Sequence, residues 1–155
     1  MDYLLLKWIH ILSSTILFGT GIGSAFYMFM ANRRKDVASI YFATRHVVIA
    51  DWLFTTPSIL IQLASGIALA HVTGYPLGEG WVFWGLALYL FAGACWLPVV
   101  WMQVRMRDMA KQALEQGTAL PARYWKLDRW WVLLGALAFP AMVAVFYLMV
   151  YKPDW

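Results

Sequence analysis

The sequence predicts an all-α integral membrane protein, a bundle of four transmembrane helices. Three observations carry that prediction. The chain of 155 residues is 63% hydrophobic and only 13% charged, against about 25% charged residues in soluble domains. The apolar residues gather in four blocks, each long enough to cross the ~30 Å hydrocarbon core of a bilayer. The basic residues cluster in two of the connections between the blocks. The short polar stretches leave no room for a separate soluble domain, so residues 1–155 read as a single transmembrane domain.

The composition also excludes some classes. The net charge of +4 follows from where a membrane topology puts lysine and arginine, and no nucleic-acid partner is expected. One cysteine, Cys95, forms no internal disulfide and no cysteine-rich metal site; inside an apolar helix it reads as a small packing residue. No phosphate-binding loop, dinucleotide fingerprint, metalloprotease helix or serine hydrolase signature is present.

The first span is expected at about residues 3–30. Asp2 precedes it, Lys7 lies inside it, and the apolar run continues to about Met30, so it reads as a retained span rather than a signal peptide. Gly19 and Gly23 form a GxxxG pair, which lets another helix approach closely. Residues 31–45 are expected as a loop carrying Arg33, Arg34, Lys35 and Arg45. The second span is expected at about 46–71. The connection VTGYPLGEG then has turn chemistry and no basic residue. The third span is expected at about 81–104. In the polar connection 106–127, Met106, Met109, Ala113 and Leu114 suggest a short surface helix ended by Gly117. The fourth span, about 128–151, contains Pro140, a site for a kink.

The basic residues set an orientation. Ten of twelve lie in the first and third connections, leaving Lys7 and Lys152 on the other side. The positive-inside rule then places both termini outside, on the periplasmic face of a bacterial inner membrane. Trp8, Trp81, Trp84 and Trp155 belong to the outer aromatic belt; Trp101, Trp125, Trp130 and Trp131 belong to the inner one.

The candidate chemistry lies in spans one and two. Asp51, Thr55, Ser58, Gln62 and Ser65 follow one another in steps of four and three, which places them on one helical stripe. A carboxylate within a span costs roughly 2.5–3.5 kcal/mol on insertion scales, so the stripe is expected to face protein or trapped water. Asp51 has two readings, a proton-relay or substrate-polarising group and an interhelical hydrogen-bonding group. Its partner is Arg45 or a residue of another span.

The histidines give the cofactor readings. His10 lies about two turns into span one and His71 closes span two at the same side. Two imidazoles on facing helices are what a b-type haem takes as axial ligands, although His10 sits up to ~10 Å deeper than His71 at 1.5 Å per residue. His46 and His71 fall within about 20° of each other on one helix face, and Met28 lies on nearly the same face as His10. A second haem between Met28 and His46 is therefore conceivable. The polar stripe points roughly 140–160° away from His46 and His71, so the two sets do not line one narrow cavity.

The segments LLLKWIHILSSTILFGTGIGSAFYMFMANR and RHVVIADWLFTTPSILIQLASGIALA resemble a bacterial family of predicted integral membrane proteins of unknown function. The first-span K-x-x-H pattern, Lys7 to His10, is also similar to two other groups: the oxygen-independent membrane protoporphyrinogen oxidases, which are haem-associated, and the copper-resistance D family. Of the oxidase family's first-span histidine and later-span lysine, only the histidine carries over, as His10. The resemblance implies haem b or copper at His10 and a redox or electron-transfer role, with His71, from its place at the same side, as the weaker second ligand. The alternative is a small transporter, or an accessory subunit that meets a membrane-protein partner or a second copy through its GxxxG face.

Overall fold

In the computed structural model, which describes residues 2–153, the chain is helical almost throughout. Helix α1 runs Tyr3–Arg34, α2 Val37–Ala50, α3 Thr56–Thr73, α4 Gly80–Gln116 and α5 Ala122–Tyr151, with a π-helical turn Asp51–Thr55 joining α2 to α3 into one continuous rod. Four helices are long and apolar enough to cross a membrane. Consecutive rods run antiparallel, so both termini lie at one end and the basic connections at the other. Trp155 lies outside the described residues.

The helices are longer than the hydrophobic blocks. The expected loop 31–45 is helical apart from a tight turn at Lys35–Asp36. Lys35 closes α1 in the left-handed conformation (φ 57°), its N–H bonded to the Asn32 carbonyl, and Asp36 opens α2 by accepting from the Ser39 N–H. The charges there do not break the helix, because Ile40, Ala43 and Val47 keep a helical spacing and are buried. The expected surface helix after span three is likewise the continuation of α4, closed by Gly117 at φ 63°. Of its expected face, Leu114 is exposed and Met109 half-buried, whereas Met106 and Ala113, with Ala110 between them, face the neighbouring helices. They are buried, and Met106 and Ala110 join a core with Met28, Ala31, Ile40, Ala43, Val47, Val99, Tyr124 and Trp131. At ~1.5 Å per residue a helix of 37 residues spans ~55 Å, well beyond the hydrocarbon. The bundle therefore extends past the apolar zone at its basic end.

A polar cluster pins that extension. The Tyr124 hydroxyl donates to Asn32 Oδ1 at 2.7 Å, and Asn32 Nδ2 donates to Asp128 Oδ1 at 2.7 Å. The end of α1 is thereby tied to the start of α5. Trp131, expected in an interfacial belt, is instead buried against this core, whereas Trp130 beside it is exposed.

The packing is uneven. The α4–α5 hairpin is tight, α1 packs on α2 and α3, and α2 packs on α4, but α1 and α5 share no extended packing face. They meet at the Asn32–Tyr124–Asp128 cluster at the basic end and, nearer the middle, through Phe18, which stacks on Phe139 (centroids 5.5 Å apart) and edge-on against Phe146 (5.1 Å). The GxxxG glycines do not mediate packing within the chain, since a Cβ added at Gly19 or Gly23 meets nothing within 4 Å. The close approaches fall at Gly66, where an added Cβ would stand 3.1 Å from His10 Cε1, and at Gly85, 3.0 Å from Met149 Cε. Pro140, and also Pro98 in α4, sit inside helices that run on through them.

Candidate functional site

The π-helical turn decides where the polar stripe points. Pro57 has no N–H, so the Leu53 carbonyl loses its usual partner four residues on. The chain accommodates this by widening the turn: the Thr56 N–H reaches the Asp51 carbonyl, five residues back. Asp51, Thr55, Ser58 and Ser65 are buried and Gln62 is half-buried, so all five lie on the inward side of the second rod. They serve two different places.

The outer part of the stripe meets α1. His10 Nδ1 lies 2.9 Å from Ser65 Oγ, and His10 Nε2 lies 3.0 Å from Gln62 Nε2. Ser13 donates to Gln62 Oε1, and Ser65 donates to the Ile61 carbonyl at 2.6 Å. One assignment of protons satisfies all of these contacts. Ser65 spends its hydrogen on Ile61, so it accepts from His10 Nδ1–H. The Gln62 amide donates, so Nε2 accepts. The set is complete with a neutral imidazole that carries its proton on Nδ1. Gly66 makes room for the ring against α3.

The inner part of the stripe meets a cavity. Asp51 Oδ1 accepts from the Thr55 hydroxyl at 2.9 Å. Arg45 is exposed, and no ion pair to Asp51 is found among the described residues; the neighbour of the carboxyl is the Gln103 amide of α4. Two oxygens here, Asp51 Oδ2 and Gln103 Oε1, are buried without a hydrogen-bond partner. Both belong to residues that line a cavity of about 440 Å³ enclosed by α1, the second rod, α4 and α5. Phe18, Ala92, Trp96, Val99, Trp131 and Ala138 are among its walls, and Cys95 and Tyr89 also line it. Tyr89 donates its hydroxyl to the Ile59 carbonyl at 2.8 Å. The exposed Ile22, Phe26, Phe29, Val132 and Phe139 form the edges between α1 and α5. The cavity therefore opens sideways, where those two helices part, toward the space lipid occupies. Gln103 lay beyond the polar stripe read from the sequence. Its signal was a lone amide within the third apolar block.

The three histidines stand at separate places. His71 is exposed and, at 100° per residue, points about 120° away from Ser65 and about 180° away from Gln62, the residues that hold His10. His46 is exposed, with Nδ1 at 2.7 Å from the Phe42 carbonyl. Met28 is fully buried in the core at the basic end. No histidine lines the cavity, and no group of three or more His, Cys, Asp or Glu placed to hold a metal ion is found among the described residues. A haem needs a free imidazole nitrogen, and both nitrogens of His10 are engaged. The residues present do not form a bis-histidine or Met–His haem site in this arrangement.

Long apolar helices, an apolar surface and polar side chains turned inward between the helices define a polytopic α-helical membrane protein. The chain belongs to the DUF2269 family, described as predicted integral membrane proteins, whose model matches residues 4–153. Comparison with curated proteins finds no match. Comparison with solved structures finds none either.

Proposed function

We propose that this protein binds a small lipophilic molecule inside the bilayer and serves as a small carrier for it. The molecule enters the cavity sideways between α1 and α5, and its polar end is held at Asp51 and Gln103. The carrying observation is the pairing of a ligand-sized apolar cavity, about 440 Å³, with two buried oxygens that lack a partner. Buried polar atoms are nearly always satisfied, and intramembrane carboxylates commonly mark substrate paths. The positive-inside rule, applied to the basic end, supports an orientation with both termini outside a bacterial inner membrane.

Native mass spectrometry of detergent-purified protein tests this reading. A Cβ at Gly93, on the cavity wall, meets nothing within 4 Å, so Gly93→Leu is expected to fill the space without displacing the fold. A co-purifying lipophilic adduct on the wild type, lost from Gly93→Leu, is the expected result. An adduct unaffected by Gly93→Leu, or none on either, argues against the cavity as a binding site.

The redox reading implied by the protoporphyrinogen oxidase and copper-resistance resemblance rests on His10, an imidazole held part-buried within a span. It requires Gln62 to leave Nε2. A visible spectrum after haem-replete expression tests it: a Soret band that disappears in His10→Ala supports haem b, and a spectrum without one removes it. Copper at the same residue is tested by elemental analysis.

A further inference from the structure

The cavity's polar end bears on what kind of lipophilic molecule it takes; this step rests on the binding role proposed above. Asp51 and Gln103 are each only 5% exposed, and what they present to the cavity without a partner is oxygen. Among the described residues, no lysine, arginine or histidine lines the space. A carboxylate buried without a cation is held at high cost, and so is a buried acceptor without a donor. A ligand with a positive charge and N–H donors relieves both at once. The aromatic walls suit the same ligand, because Tyr89, Trp96 and Trp131 line the cavity and ring faces attract cations.

The geometry points to an organic monocation, a primary or secondary ammonium on a compact apolar body, as the occupant. Its N–H groups bond to Asp51 Oδ2 and Gln103 Oε1 while its body lies against the apolar walls. The titratable groups around the cavity are few: Asp51 on the second rod, with Thr55 bonded to it, and Tyr89 and Cys95 on α4; α1 and α5 contribute none.

Calorimetric titration of the protein in nanodiscs with 1-naphthylmethylamine and its uncharged isostere 1-naphthylmethanol tests this. The wild type is expected to bind the amine at least roughly tenfold tighter than the alcohol, the scale of a buried charge pair. Asp51→Asn should bring the amine down to the alcohol's affinity, and Gly93→Leu should remove the binding of both. Equal affinity for the two probes, with both lost in Gly93→Leu, overturns the cation inference and leaves the cavity as a site for neutral molecules. Binding of neither probe, or binding indifferent to Gly93→Leu, overturns both.

Discussion

His10 and Gln62 face each other across α1 and α3, ring Nε2 to amide Nε2 at 3.0 Å. Ser13 and Ser65 complete the set from either helix. In water four such groups contribute little net energy; in hydrocarbon no water replaces a partner that one of them loses. The network therefore acts as a register mark between the first two spans, and that role is open to test.

His10→Leu is expected to lower stability by about 1–3 kcal/mol, because Ser65 and Gln62 are left without their partner. The double change His10→Leu with Gln62→Leu should cost less than the sum of the two single changes, since the pair is removed together. Thermal unfolding in detergent, followed by tryptophan fluorescence, measures both.

At Gly66 a Cβ would stand 3.1 Å from His10 Cε1. Gly66→Val should separate α1 from α3 and cost about 1–3 kcal/mol by overpacking. The same change at Gly19, where nothing lies within 4 Å, should leave stability within about 0.5 kcal/mol. The difference between the two melting temperatures is the readout.

Tyr124→Phe removes the hydroxyl that bonds Asn32 Oδ1 at 2.7 Å and leaves that oxygen buried. A loss of about 1–2 kcal/mol is expected. Limited proteolysis should show α5 opening near residues 117–123 more readily than in the wild type.

Asp36 gives a pH dependence outside the spans. Its hydrogen bonds to the Ser39 side chain and N–H hold the carboxyl below its ordinary value of 3.8. A carboxylate depressed in the folded state stabilises above the unfolded value and loses that contribution as pH falls through the folded one. Asp36→Ala should therefore be less stable than the wild type at neutral pH, and the gap should close as pH drops below about 3.8. Equal gaps at pH 7 and pH 3 would show that the cap is not the cause.

Much of the architecture was legible in the residues. Uninterrupted apolar runs leave a backbone in lipid no option but helix, so four spans and their order follow from composition and length. The inward stripe of the second rod was legible too, because the cost of a carboxylate in hydrocarbon forces a direction on Asp51. The helix ends were not. Charge at 31–45 read as loop and the stretch from 106 as a separate surface helix, yet Ile40, Ala43, Met106 and Ala110 bury there against one another. Only a neighbouring helix makes a basic, polar segment worth holding as helix.

The sequence by itself determined the class of solvent, the number of crossings and which residues are too polar to face lipid, since each of these is a transfer energy belonging to one segment. Tertiary structure alone decided the partners. It set His10 against Gln62 and Ser65 rather than opposite His71, it gave Asp51 the Gln103 of a distant helix as neighbour, and it joined α1 to α5 at the basic end without an extended packing face. Those outcomes depend on relative rotation and spacing of helices, which no single helix carries in its own pattern.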